Sequence, residues 1–560
     1  MTNFLSSQRT RSILPYVLLI VLYIVVTSMT DAFFMGDTRI YVRDISNAAS
    51  LGSTFWDAGH PFWRPLGWLI SRLDHRGNPA ITLLSINWVV GLVNVLIVYA
   101  LSSKFSERAW VPYFVAVLFL FANPILNYVQ SGQPYMTGLM FLLLGFYLLA
   151  REVVEPKHPW RTAIICGVCL ACGVCTWIPY VFSLPAIGLF PLIYAGYDSH
   201  RLNLVVRTCL VCAFVGALVY ISMALHLGLH NIGEVKTWIA TASHGDLPDT
   251  PLKAIQRMLF TLGRSVINMG DDGRLFKRYA VHDPFNPVSI FDLMRLSMWK
   301  LAFFYLFLLA ILFNLLFSKS GKKTLVLLSL TAIPFLAFAV FVFEAGSIER
   351  YLPIFPVAVV ALSVSLGRKE SRQWPKVFAL VFIAVVIVSN VGATSKVVLN
   401  KQQERVEKRL GELQPFLKTP NRVVTVNEQD ELYAFNQNFL FNPINQTGQE
   451  IDNLVTPHSV QILRWRQIFA EKTLAMWASG GEVWVTKRVL ASRPQAQWNW
   501  VEGDDPTVLW SDINHYFAQF DLGQQTASED GFVKMADSPK NRLQLQSIIH
   551  EKGVQQDSPH

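Results

Sequence analysis

The sequence predicts a polytopic α-helical membrane protein with a smaller soluble α/β domain at its C-terminal end. Three observations carry that expectation. Of 560 residues, 52% are hydrophobic and 16% charged, whereas about a quarter of an average soluble chain is charged. Apolar runs of roughly 16 to 22 residues, the length a helix needs to cross a bilayer, recur up to about residue 393. No such run follows, so the membrane part is expected over 1–396 and the soluble domain over 397–560.

In chain order the spans are 13–30, 80–101, 109–126, 135–150, 162–177, 179–196, 208–227, 297–317, 324–343, 351–366 and 376–393, eleven in all. Arg9 and Arg11 precede the first run, and no small-residue cleavage site follows it, so it reads as an uncleaved anchor. With the N-terminus cytoplasmic, every short inside loop is basic: Lys104 and Arg108, Arg151 to Arg161, Arg201 and Arg207, Lys319 to Lys323, Arg368 to Lys376. The short outside connections 127–134 and 344–350 carry only Arg350. That asymmetry fixes orientation, and an odd number of spans leaves the C-terminal domain extracytoplasmic. The net charge of +9 is then largely topology, and no nucleic-acid partner is needed to explain it. With no eukaryotic targeting signal, a bacterial inner membrane is the expected location.

Cysteine spacing in "CGVCLACGVC" imitates a cluster-binding run, with Cys166, Cys169, Cys172 and Cys175 three residues apart. Each such step turns a helical side chain by about 300°, which spreads the thiols instead of converging them. Packing is the expected role. Cys209 and Cys212 also fall in a span, so no disulfide is expected outside the membrane.

Three segments face outward: 31–79, 228–296 and the tail. In the tail, "NRVVTV" and "GGEVWVTKRVL" read as strands, and "NKQQERVEKRLGELQPFL" and "EQDELYAFNQ" as helices. Trp465, Trp477, Trp484, Trp498, Trp500 and Trp510 are expected chiefly in its core and interfaces. Asn445 heads a glycosylation sequon by pattern alone. In "DTPLKAIQRMLFTLGRSVINMG", Thr250 caps a predicted helix. On that helix Ile255, Met258, Leu259, Leu262, Val266 and Met269 share one face, opposite Lys253, Arg257 and Arg264. The pattern suits an interfacial helix offering Arg257 and Arg264 to phosphates, or equally a helix packed on protein. His226, His230 and Glu234 have metal-ligand spacing, but Gly228 and Gly233 interrupt the helix this would need.

"GDTRIYVRD" is the sharpest signal. On a helix from Thr38 to about Leu51, Asp37 and Asp44 differ by only about 20° around the axis, with Arg39 and Arg43 roughly opposite. The alternative makes Asp37 a plain N-cap and Asp44 a surface residue. Downstream, "WDAGHPFWRPLGWLISRL" brings Trp56, Asp57, His60, Trp63 and Arg64 to the mouth of the second span. Charged groups at that depth are functional candidates.

Here the chain resembles the GT-C superfamily of integral-membrane glycosyltransferases, which use polyprenyl-phosphate sugars and include protein O-mannosyltransferases and aminoarabinose transferases. The likeness rests on Gly36-Asp37-Thr38-Arg39-Ile40-Tyr41, on Arg64-Pro65-Leu66-Gly67-Trp68 leading into the second span, and on "SIERYLPIFP" from Ser347 to Pro356. It implies Asp37 as general base or acceptor-orienting carboxylate, with Arg64 and Arg350 on the donor phosphate; helix geometry adds Asp44 as Asp37's neighbour on the same face, able to oppose its ionisation or help bind a divalent ion. Tyr41, His60, Arg257, Arg264, Glu349 and Tyr351 are the further substrate-binding candidates. Thr38 and Trp63 stand where family members often carry acidic residues. The implied partners are a polyprenyl-phosphate-linked sugar donor, the lipid bilayer and a glycan, lipid or protein acceptor. A divalent ion beside Asp37 and Asp44 fits the pattern, although the sequence requires no cofactor. Two other classes stay open: a transporter or flippase for lipid-linked saccharide, and a non-catalytic membrane assembly factor.

Overall fold

The computed structural model of the chain describes residues 13–32, 35–48, 52–53, 55–73, 77–240, 251–270, 274–280, 287–342, 345–368, 374–399, 422–426, 452–455, 462–490, 506–525 and 531–550. They form two compact units, 1–271 with 295–399 and 272–294 with 400–560. The sequence-predicted helix at 400–417, the helical reading of 428–437, the cap Thr250, the Asn445 sequon, Trp498 and Trp500 lie outside the described residues.

Among the described residues, nine helical segments are long and apolar enough to cross a membrane, and two shorter apolar helices, Leu14–Met29 and Trp110–Phe121, occupy the other two predicted positions. Proline stands in the first turn of Leu14–Met29, Pro79–Ser102, Pro159–Thr176, Leu184–Ala195 and Phe355–Gly367, where its missing N–H breaks no bond. The expected interruption near 177–179 is an extended Trp177 followed by a 3-10 turn, Ile178–Ser183, which carries Pro179.

The helix Tyr135–Val154 lies against Pro79–Ser102 and Pro159–Thr176 at the heart of this unit. Small residues permit the approach: a Cβ on Gly173 would press on Leu142, and one on Gly167 would meet the Thr208 carbonyl and Val211 of Ser199–His226. The six cysteines are free thiols, Cys166, Cys169 and Cys175 buried among these contacts. Ser199–His226 turns Leu210, Phe214, Leu218, Ile221 and Leu225 outward, a stripe suited to lipid and not to water.

Bent backbone at membrane depth needs internal partners. The chain bends at Ala122, ahead of Pro124, and frees the Phe121 carbonyl. Asn390 Nδ2 donates to that oxygen at 2.5 Å and to Val266 O at 2.8 Å. In the same way, Asn87 Nδ2 donates to the carbonyls of Ser131 and Gln133 at the turn before Tyr135.

The second unit holds a five-stranded mixed sheet of order β2-β1-β3-β5-β4. Its strands are β1 Arg422–Val426, β2 Asp452–Val455, β3 Glu482–Thr486, β4 Leu522–Gln525 and β5 Phe532–Met535. β1 pairs in parallel with β2 and β3, and β5 pairs antiparallel with β3 and β4. Both strands expected from sequence are present as β1 and β3. Phe469, Trp477, Val483, Val485, Ile513, Phe517 and Met535 build its core, and Trp484 is buried as well.

Candidate active site

Gly36 adopts a positive φ of 51°, a conformation open to glycine without a Cβ penalty, and so turns the chain into the helix Thr38–Ser46. Asp37 stands at its N-cap, yet its side chain makes no capping bond. The carboxylate is therefore not consumed by the helix. The head of the helix is pinned to the core: Gly132 N donates to Thr38 Oγ1 at 3.1 Å, and Trp63 Nε1 donates to Gly132 O at 2.9 Å. Gly132, through its N–H and its carbonyl, thus ties together the two halves of the loop between the first two spans.

Asp44 lies farther along the same helix and is buried. Its Oδ2 accepts from Arg64 Nε at 2.8 Å, and its Oδ1 lies 3.4 Å from Arg43 Nε. Arg64, in the helix Trp63–Leu73, also donates Nη1 to Asp57 Oδ2 at 2.9 Å. Asp57 Oδ2 takes a second bond from His60 Nδ1 at 2.8 Å, while its Oδ1 caps the Gly59 amide. The guanidinium of Arg64 stacks over the Tyr41 ring, 4.7 Å from its centroid. Two backbone bonds, Phe62 N to Cys175 O and Ile178 N to Gly59 O, fasten this loop to the break beside Trp177.

The Ser347–Pro356 stretch singled out in the sequence forms the 3-10 helix Ile348–Ile354. Glu349 Oε2 accepts from Tyr128 Oη at 2.6 Å, and its Oε1 is 3.8 Å from Arg350 Nε. Tyr351 donates to the Ala345 carbonyl at 2.9 Å, so it holds the turn in shape. Arg257 fills the space where a Gly346 side chain would be, and Asn123 Nδ2 anchors the Arg264 carbonyl at 2.9 Å. The helix Pro251–Arg264 buries Ala254 and Thr261 and exposes Leu252, Ile255 and Leu259. Part of its predicted apolar face therefore points outward, and Arg257 packs toward the turn at Gly346.

Charges from both groups bear on Tyr41. This fully buried phenol is raised well above its ordinary range by burial first, then by Asp37 and Asp57, with Arg64 and Arg350 opposing. Tyr128 is raised by burial and by Glu349, against Arg350 and Arg264. Burial would also raise Asp57, but the His60 hydrogen bond and the charges of His60 and Arg64 hold its carboxyl well below the usual carboxylate range. His60 is lowered by burial against the pull of Asp57.

No protein-family model and no curated protein matches the sequence. Solved structures do. The crystal structure of ArnT from Cupriavidus metallidurans bound to undecaprenyl phosphate matches with a TM-score of 0.52 at 9% identity, over 94% of this chain and 98% of that one. The chain has the GT-C fold. The Archaeoglobus fulgidus oligosaccharyltransferase in complex with zinc and sulfate matches at 0.49, with 12% identity over 93% of this chain and 73% of that one. The arabinofuranosyltransferase AftD from Mycobacteria matches at 0.46, with 11% identity over 94% and 40%. The GT-C assignment rests on the first of these.

Within this GT-C fold, contacts run from Asp44 to Arg64, from Arg64 to Tyr41 and from Tyr41 to His60, and the charges of Asp37 and Arg350 bear on Tyr41. Glu349 and Arg350 adjoin each other, whereas Tyr351 is committed to backbone. Sequence reasoning placed Asp57 at the mouth of the second span without giving it a role, and passed over Tyr128. The Asp57-x-x-His60 spacing in a tight turn was the available signal for the first; nothing local marked Tyr128. Among the described residues no three His, Cys, Asp or Glu side chains converge as a cation site. Glu234 instead accepts from the His230 amide and Asn231, and the His226 ring sits 5.1 Å from that of Trp56.

Proposed function

We propose that the protein is a membrane glycosyltransferase that moves a sugar from a polyprenyl-phosphate donor to an extracytoplasmic acceptor. The observation that carries this reading is Asp37 at the head of the helix Thr38–Ser46, its side chain making no capping bond, on the same helix as Tyr41, whose ring the Arg64 guanidinium covers. The fold shared with ArnT, whose structure holds undecaprenyl phosphate, supports a lipid phosphate as the donor's leaving group.

Charge divides the work. Arg64 already faces Asp44 and Asp57, so its cluster has little positive field left for an anion. Arg350 lies beside Glu349, whose carboxylate accepts from Tyr128, and Arg257 packs at Gly346 of the same turn. The donor phosphate is therefore assigned chiefly to Arg350, with Arg257 and Arg264 adding field and Arg64 at the sugar end. Asp37 takes the proton of the acceptor hydroxyl as its oxygen attacks the anomeric carbon. The bond from that carbon to the phosphate oxygen breaks, and polyprenyl phosphate leaves with the electron pair. The anomeric configuration inverts. A base and a cationic clamp of this kind each supply on the order of 10² to 10³ in rate.

The test is transfer from a radiolabelled polyprenyl-phosphate sugar in membranes containing the full chain. Asp37→Asn is expected to abolish transfer while leaving lipid binding intact. Wild-type transfer by that variant, or movement of intact lipid across the bilayer with no transfer, would contradict the enzyme reading.

A further inference from the structure

Tyr41 and His60 meet edge to face with ring centroids 5.6 Å apart. Both are buried, and among the described residues neither Tyr41 Oη nor His60 Nε2 has a hydrogen-bond partner. Buried polar atoms are nearly always paired in folded proteins, so two orphans on touching rings mark a place that another molecule completes.

The chemistry of that molecule follows from Asp57. An ionised carboxylate only accepts hydrogen bonds, so the 2.8 Å contact requires the proton on His60 Nδ1. In the neutral ring Nε2 is then a bare acceptor. Tyr41 Oη can donate or accept. A phosphate offers this pair only acceptors and leaves Nε2 unsatisfied; an ammonium can donate to both atoms but leaves the Tyr41 O–H proton without an acceptor. A hydroxyl satisfies both, donating to Nε2 and accepting from Oη. The surrounding carboxylates Asp37, Asp44 and Asp57 disfavour an anion at the same place.

We infer that Tyr41 and His60, with Asp57 as the positioning residue, form a specificity subsite for one hydroxyl group of the donor sugar. The inference rests on the lipid-linked donor proposed above. It separates the two ends of the donor: the hydroxyl is read by the first outer loop and the phosphate by Arg350. Both orphan atoms are covered by neighbouring groups, so the hydroxyl reaches them by parting the rings from their neighbours.

The experiment compares binding of undecaprenyl phosphate with that of undecaprenyl phosphate carrying glucose, mannose, galactose or arabinose, using the purified full chain and native mass spectrometry. Wild-type protein is expected to prefer at least one sugar-bearing lipid over the bare one. Tyr41→Phe and His60→Gln should each erase roughly tenfold of that preference while leaving undecaprenyl phosphate affinity unchanged; Arg350→Ala should weaken both lipids together. Equal losses for both lipids in Tyr41→Phe, or no loss, would show that the orphan atoms hold only a structural water and would overturn the subsite. A wild-type protein that gains nothing from any of the sugars would overturn it too. Failure to bind any of these lipids would instead overturn the donor assignment itself.

Discussion

Asp57 Oδ2 accepts hydrogen bonds from both Arg64 Nη1 and His60 Nδ1, at 2.9 and 2.8 Å. A single carboxylate oxygen therefore orients a buried cation and a buried imidazole together. Removing its charge leaves Arg64 with Asp44 as its remaining close partner of opposite charge and lets the imidazole choose either tautomer. Asp57→Asn is expected to cost on the order of 3 kcal/mol of stability, the scale for breaking a buried ion pair, and to reduce transfer as well. Thermal unfolding in detergent reads the first effect, and an unchanged melting temperature would contradict the clamp.

His60 sets a sign for pH dependence. Burial holds its folded-state pKa below the ordinary 6.5, with Asp57 opposing and Arg64 and Asp37 the other charges that reach it. The unfolded chain therefore takes up this proton at a higher pH than the folded one. Acidification below about 6.5 then draws protons onto the unfolded state and lowers stability, whereas the contribution is fully present above that value. His60→Gln should flatten part of the stability decline between neutral pH and pH 5. An identical decline in wild type and variant would show that His60 does not titrate as described.

Tyr128 governs how Glu349 and Arg350 share charge. Its hydroxyl, 2.6 Å from Glu349 Oε2, draws that carboxylate away from Arg350, whose Nε stays 3.8 Å from Oε1. In Tyr128→Phe the freed carboxylate is expected to close on Arg350 and compete with lipid phosphate. Affinity for undecaprenyl phosphate should fall about tenfold, the worth of a hydrogen bond to a charged group, and return in the double variant with Glu349→Gln. Lack of rescue would rule out competition as the cause.

Gly132 tests the mechanical link to Asp37. A Cβ there would collide with the Thr38 side chain, so Gly132→Ala is expected to displace the head of the helix Thr38–Ser46. The cost should be about 2 kcal/mol, typical of overpacking, and kcat should fall with undecaprenyl phosphate binding preserved. Unchanged kcat would mean that Asp37 tolerates the shift.

Hydropathy made the membrane architecture readable, because a span must satisfy its own backbone and present apolar side chains to lipid. The eleven predicted spans therefore fall on helical segments, and the Trp177 break was visible as Pro179. The sheet was half legible: β1 and β3 carry β-branched runs, while β4, "LGQQ", has no such signature and gains its place by pairing with β5. At the site, Asp37, Arg64 and Arg350 stood out as charges close to bilayer ends. Asp57 was visible as a charge at the mouth of the second span, but its role was not, because that depends on Arg64 reaching back across a turn; Tyr128 was hidden because its partner lies 221 residues away. For Pro251–Arg264 the periodicity was plain, but packing decided which way Arg257 points.

The central claim is that lipid phosphate and acceptor-activating carboxylate share one hollow. It is tested most directly by an experimental structure of the full chain with undecaprenyl phosphate bound. The account predicts phosphate density within hydrogen-bonding distance of Arg350, on the side of Arg350 that faces Tyr41 and Asp37. Phosphate density away from Arg350, with Asp37 opening onto a separate cavity, would contradict it.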